Sequence, residues 1–484
     1  MSLANTQRAA QFKKSLIFYG LSIVLMKGLS LIMLPFIAGY LPPAQMGKLE
    51  LLTTAAMLLS LFVAMGLEDC LFRFAGTQTG NKQRSIVASL YGWSLYLGTV
   101  AFLLGYIAAP TVSQLTGGQL APYQLQIIWA GVALEGAISL PLGYLRMRDN
   151  AGQFFAVVIG RTFLQALLTV VLLHHNPHLD SVIIASVIAT FSQAFALGLC
   201  QYRSTGIAPK RQELTAIWRY GMPLLGSGLC MFALNGVDRI AIAQWDSLTQ
   251  LGLYSVAAKF ALATVLLMQP FGMWWRPRRF DWLQHRAAQC TQVLGLASVL
   301  LSLIACSVIC MAPILIIALM PEAYHSATLL AGAIAIMFGL REASEIHNIG
   351  LLSQQSTLPL LKINVTSAII GASCCLLGTY YWGVSGCIAG LIIAQSYRLM
   401  AIHLQGKKAV VQHIQPSLLF FCLCMPVVAA GISYGVLSAQ VGTWQLATYS
   451  VALALGCAIC AGAMVISYRL TNYLGFRQAA TAPC

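Results

Sequence analysis

The sequence predicts an all-α integral membrane protein of about 14 transmembrane helices, built as two parallel-repeat six-helix lobes with two extra C-terminal helices. Three observations predict it. Long apolar segments fill the 484 residues, the loops between them alternate between basic and uncharged, and short motifs recur about 205 residues apart. Hydrophobic residues make up 58% of the chain and charged residues 8%. A soluble protein would have about a quarter of its residues charged, so lipid must cover this surface. The net charge of +15 lies in separate short loops, which reads as topogenic rather than nucleic-acid-binding.

Spans are placed at 15–39, 48–74, 86–109, 123–145, 153–174, 181–202, 218–243, 250–275, 291–319, 326–352, 359–382, 384–404, 416–438 and 444–468. The first is too long for a signal-peptide core, is followed by no small-residue cleavage site, and carries Lys27. The second ends in Glu68, Asp69 and Arg73. Glu135 in the fourth and Arg161 in the fifth lie at similar depths from the turn at 146–152, which makes an ion pair between them a reasonable expectation. His174, His175, His178 and Asp180 precede the sixth span and read as a solvated turn around Pro177 rather than a metal site. Asp238 and Arg239 close the seventh, Lys259 lies in the eighth, and Arg341, Glu342 and Glu345 lie in the tenth. Cys306 and Cys310, like Cys457 and Cys460, read as small packing residues inside spans, and free thiols are expected throughout. Pro35, Pro223 and Pro270, with nearby Gly66, Gly226, Gly228 and Gly272, are candidate bends.

The basic loops carry, in order, Arg8, Lys13 and Lys14, then Lys82 and Arg84, Arg146 and Arg148, Arg203, Lys210, Arg211 and Arg219, and Arg276, Arg278, Arg279 and Arg286. Lys362, Arg398, Lys407, Lys408, Arg469 and Arg477 complete that side. The opposite loops near 110–122, 175–180, 244–249, 320–325, 381–383 and 439–443 contain no Lys or Arg. Both termini are therefore expected in the cytoplasm, which requires an even number of spans.

Ala44-Gln45-Met46-Gly47 matches Thr249-Gln250-Leu251-Gly252, Arg73-Phe74 matches Arg279-Phe280, and Asp180-Ser181 with Ala185 matches Val384-Ser385 with Ala389. The spacing holds across six helices, so the halves share one orientation and a translocated substrate would be handled between them. The expected divisions are 1–205 (spans one to six), 206–410 (spans seven to twelve) and 411–484 (the extra pair and tail), with long linkers at 203–219 and 405–415.

Arg219-Tyr220-Gly221-Met222-Pro223-Leu224, Asp238-Arg239-Ile240, Leu251-Gly252-Leu253-Tyr254-Ser255-Val256-Ala257 and the Gly383-Val384-Ser385-Gly386 turn fall in this order within the duplicated frame. In them the chain resembles the polysaccharide-unit flippases (Wzx type) of the multidrug, oligosaccharidyl-lipid and polysaccharide transporter superfamily. The resemblance implies movement of undecaprenyl-diphosphate-linked sugar units to the periplasmic leaflet of the bacterial inner membrane, for O-antigen or exopolysaccharide assembly. It implies membrane lipids and the polysaccharide polymerase and chain-length machinery as partners. No cofactor is expected.

An intramembrane charge costs at least about 2.5 kcal/mol at a helix centre unless it finds a partner or water. Lys27, Arg161, Arg239, Lys259 and Arg341 are the candidates to bind a diphosphate along its path, Arg offering a planar fork matched to phosphate oxygens. Glu135, Asp238, Glu342, Glu345, Glu68 and Asp69 are the candidates for gating or ion coupling. Each charge has a plainer reading as a packing pair or a snorkelling side chain. Counting 206 residues from Glu135 reaches Arg341, so a switching contact between lobes and a static pair with Arg161 both stay open. No phosphate-binding glycine loop followed by Lys-Ser/Thr occurs, so the driving force is an ion gradient or the membrane potential. The alternatives are a multidrug extruder or lipid II flippase of the same fold, and a membrane polysaccharide polymerase, for which the short outer loops leave little platform.

Overall fold

The computed structural model describes residues 2–76, 78–276, 278–353, 358–409, 416–439, 445 and 448–464, and these are almost wholly helical, with no strand among them. Eleven helical stretches are long and apolar enough to cross a membrane, and the bent pair Trp218–Ala233 and Val237–Trp245 makes twelve. The protein is thus a multi-pass membrane protein. One of those stretches, Leu358–Gly406, is 49 residues long and turns within itself, and the last predicted span is represented by the shorter apolar helix Thr448–Met464. Residues 440–443 of the loop expected at 439–443, and the basic residues Arg469 and Arg477, lie outside the described residues.

The chain forms two compact units, Met1–Gln244 and Trp245–Cys484. The first contains α1 (Ser2–Tyr40), α2 (Pro43–Ala64), α3 (Leu67–Phe74), α4 (Gly80–Leu115), α5 (Pro122–Val132) and α6 (Glu135–Met147). It continues through α7 (Ala151–His175), α8 (Leu179–Thr205) and α9 (Arg211–Asn235) to α10 (Val237–Trp245), which runs to its boundary. Leu67, Leu71, Leu90 and Leu140 centre its main core cluster, where α3, α4 and α6 meet. Small residues let backbones touch, as bilayer-embedded helices require: a Cβ on Gly98 of α4 would collide with the Ala133 carbonyl oxygen just beyond α5.

The linker expected over 203–219 is mostly helical, because α8 runs to Thr205 and α9 starts at Arg211. The residues left between them are held against α4. Trp93 Nε1 donates to the Lys210 carbonyl at 2.8 Å, the Lys210 N–H donates to Ser89 Oγ at 2.8 Å, and Lys210 Nζ donates to Ser85 Oγ at 2.6 Å. These bonds satisfy groups that a solvated linker would leave to water.

The second unit contains α11 (Leu248–Ala261), α12 (Ala263–Trp275), α13 (Arg279–His285), α14 (Ala287–Leu319), a 3-10 turn (Glu322–Ala327) and α15 (Thr328–His347). It continues with α16 (Ile349–Leu352), α17 (Leu358–Ala409), α18 (Pro416–Ser438) and α19 (Thr448–Met464). The Leu251–Ala257 motif is buried along its whole length in α11. Within α17 the backbone reverses at Gly383 (φ 59°, ψ −145°), a conformation open essentially only to glycine. The next N–H, of Val384, donates to Asp246 Oδ2 at 2.9 Å. The two legs then pack antiparallel, with Gly378 against Gly386 and Gly390 against Cys374. The described cysteines are free thiols.

Candidate functional site

Several spans predicted as continuous are broken. α2 gives way to α3 at Met65 and Gly66, both in left-handed conformation, α5 to α6 at Ala133 and Leu134, and α9 to α10 at Gly236. Each new helix carries acid in its first turn: Glu68 and Asp69 in α3, Glu135 in α6, Asp238 in α10. The positive end of the helix dipole stabilises a carboxylate there by roughly 0.3–2 kcal/mol. Broken helices therefore hold these acids at depths where a continuous helix would give them no such support. The hydropathy pattern conceals the breaks, because each lies within a long, mostly apolar stretch.

The Arg219–Leu224 motif that opens α9 packs on the first break. A Cβ on Gly221 would strike the Met65 carbonyl, and Leu224 lies against Gly66. Tyr220 takes the Arg73 guanidinium over its ring, 4.6 Å from the centroid, and meets Phe74 edge-on at 5.9 Å. Glu68 accordingly pairs with Arg146 Nη2 at 2.6 Å rather than with the nearby Arg73, and Asp69 is exposed.

The Glu135–Arg161 ion pair does not form. The two are close enough for their charges to interact, but no contact within 4.0 Å joins them among the described residues. Arg161 turns instead to α8, where Nη2 donates to Thr190 Oγ1 at 3.2 Å, and its shielded Nε has no partner among the described residues. Glu135 accepts no hydrogen bond there either. A carboxylate and a guanidinium thus face one another's fields, half-buried, with unused hydrogen-bonding capacity.

Arg239 is held more firmly. Its Nε donates to Glu50 Oε1 at 2.8 Å and its Nη1 to both oxygens of Asp238 at 3.1 Å, and Asp238 is buried. Glu50 was not singled out by sequence, since it opens a span and looks interfacial. Lys27 is exposed on α1. Gln124 and Tyr123 donate to Asp180 at 2.6 and 2.7 Å, and His178 lies 3.4 Å from it. No metal-holding cluster of His, Cys, Asp or Glu exists among the described residues.

In the second unit, Glu345 and Asn348 end α15 beside its break with α16. Glu345 Oε1 accepts from Arg398 Nη2 at 2.8 Å and Glu345 Oε2 from Asn348 Nδ2 at 3.1 Å, while Arg398 Nε donates to Asn364 at 3.0 Å. Arg398, counted above among loop cations, is therefore buried inside the unit. Glu342 lies within electrostatic reach of Arg341, Glu345, Arg276 and Arg398. Lys259, in the last turn of α11, and Arg341 on α15 are half-buried. Below α12, burial and the neighbouring Arg276 lower the proton affinity of Arg279, and Glu345 opposes them.

The model of the polysaccharide biosynthesis protein family matches residues 12–280, more than half of the chain. The protein belongs to that family. The matched stretch holds every helix break of the first unit and the Glu50–Arg239–Asp238 cluster. No curated protein matches this family member by sequence. Among solved structures, it is similar to "Lipid II flippase MurJ, inward closed conformation", with a TM-score of 0.71 at 10% identity over 94% of this chain and 99% of that one. It is also similar to "MATE in complex with MaL6" (0.55, 16%, 81% and 95%) and to an inward-facing multidrug resistance MATE transporter of the MOP superfamily (0.53, 13%, 81% and 97%). The family member thus has the fold shared by those flippase and transporter structures.

Proposed function

We propose that the protein translocates undecaprenyl-diphosphate-linked oligosaccharide units across the bacterial inner membrane, for O-antigen or exopolysaccharide assembly. The family match carries this reading: a polysaccharide biosynthesis protein with no nucleotide-binding motif and a membrane-filling fold is suited to moving a lipid-linked glycan. Both termini lie in the cytoplasm, and the fold works by alternating access driven by an ion gradient or the membrane potential, worth about 2.3 kcal/mol per charge per 100 mV. Lys27, Arg161, Lys259 and Arg341 are the cations offered to the diphosphate. Arg239, between two carboxylates, is better suited to holding α2 against α10. Glu135, on a broken helix and without a bonded partner among the described residues, is the best placed acid for coupling to a cation. The polymerase and chain-length machinery would take up the product.

The similarity in fold to a lipid II flippase over nearly the full chain supports a second reading, in which the cargo is lipid II. Deletion of the gene, followed by extraction of lipid-linked intermediates, separates the two. Accumulation of a polymer repeat unit in the inner leaflet supports the first reading. Accumulation of lipid II supports the second, and unchanged levels of both contradict each.

A further inference from the structure

A cavity of about 590 Å³ lies within the second unit, walled by α14, α15, the second leg of α17 and α18. That volume is in the range of small-molecule sites. The wall is apolar apart from a few groups, chiefly Ser298, Ser396 and the imidazoles of His347 and His403, and no Asp, Glu, Lys or Arg is among the described residues that line it. Met400, Phe420 and Val427 line it and are also exposed on the surface of the unit, 64%, 71% and 54% accessible. Exposed apolar side chains of this kind on spanning helices suit an opening toward hydrocarbon.

His347 gives the cavity its chemistry. The side chain is buried, with 3% exposure, and its Nε2 lies 3.1 Å from Ser298 Oγ. Ser298 Oγ also lies 2.9 Å from the Leu294 carbonyl, and with its proton directed there it accepts from the histidine. In that arrangement the proton of the neutral ring is on Nε2 and Nδ1 is an acceptor. Nδ1 is shielded and has no hydrogen-bond partner among the described residues. An unmet acceptor in an apolar wall loses its hydration without compensation, a penalty of roughly 1–3 kcal/mol.

We propose that this cavity binds a neutral, membrane-dissolved amphiphile, an apolar body carrying one hydroxyl that donates to His347 Nδ1. An amine would enter charged, and the lining offers it no counter-ion. A carboxylate or phosphate would bring acceptors to an acceptor. The site is independent of the proposed cargo, whose diphosphate does not suit it, so it stands or falls separately from the flippase reading.

The test uses the full chain in lipid nanodiscs with two probes, a long-chain alcohol carrying a diazirine in mid-chain and the matching alkane without the hydroxyl. After irradiation, peptide mapping should place the alcohol on the Leu419–Val427 segment of α18, saturably and with competition by unlabelled alcohol, at several-fold lower concentration than the alkane. His347→Phe, which keeps the bulk and removes the acceptor, should raise the half-saturating alcohol concentration roughly fivefold to tenfold and abolish the preference over alkane. Ser396→Phe, at an exposed lining position, should weaken capture of both probes. Equal capture of alcohol and alkane by the unaltered protein would mean that water satisfies Nδ1, and would overturn the proposal. So would labelling spread evenly over the helices. The comparison of probes on the unaltered chain decides the matter even if His347→Phe does not fold.

Discussion

Arg398 ties three helical segments together: Nη2 reaches Glu345 on α15 at 2.8 Å, while Nε holds Asn364 on the opposite leg of its own hairpin at 3.0 Å. The two partners differ in wetness, with 6% of the Arg398 side chain exposed against 39% of Glu345. Removing the acid therefore strands a buried guanidinium, a loss on the order of 3–5 kcal/mol, whereas removing the base leaves a carboxylate that water still reaches. Glu345→Leu should lower the thermal unfolding temperature of the detergent-solubilised protein more than Arg398→Leu. The reverse order would place the main burden on Arg398 packing.

That pair also shows how far the sequence can be read. Arg398 falls inside the apolar segment 384–404, yet counting charges by loop placed it with the loop cations. Its partner was not legible, because pairing depends on which helices become neighbours and on the face each presents. Apolar periodicity identifies spans and the charges within them, and Lys27, Glu135, Arg161 and Glu345 were found that way. It does not report breaks such as Ala133–Leu134, which carry no proline or glycine to mark them, nor the fact that Arg161 turns toward Thr190. The glycine turn at 383 was legible, but the Asp246 that closes it lies far away in sequence.

The Glu50–Arg239–Asp238 cluster predicts a stability phenotype. Arg239→Ala would leave Glu50 and the buried Asp238 facing each other without the cation that both contact. Membrane abundance should fall by severalfold, consistent with about 3–5 kcal/mol for one partner of a buried network. Arg239→Lys should recover only part, since one ammonium cannot reproduce the fork. Quantitative immunoblotting of membranes checks this, and wild-type abundance of Arg239→Ala with lost export would return Arg239 to the substrate path.

At Gly383 the added methyl of Gly383→Ala would come within 2.5 Å of Asp246 Oδ2, in a backbone conformation costing about 1–3 kcal/mol for other residues. The hairpin should lose that stability and more. Asp246→Asn keeps an oxygen acceptor for the Val384 N–H and should stay near wild type, while Asp246→Ala should cost about 1 kcal/mol, as loss of a helix N-cap does. Thermal unfolding of the three variants orders them, and a Gly383→Ala protein as stable as wild type would show that the turn adopts another geometry.

The last prediction concerns Arg161, whose guanidinium has one hydroxyl partner, a shielded Nε and no carboxylate in contact among the described residues. If it is kept for an anionic cargo, Arg161→Ala should reduce glycan export with abundance near wild type. Arg161→Lys should restore only part of export, because the bidentate fork is lost. Thr190→Ala removes the one hydroxyl that positions the group and should weaken export less than Arg161→Ala. Neutralising Glu135 as well should not rescue the variant, since the two make no ion pair. A Glu135→Gln/Arg161→Ala protein that regains both abundance and export would mean that the long-range attraction between them is the real role of Arg161, and would leave Lys27, Lys259 and Arg341 to meet the diphosphate.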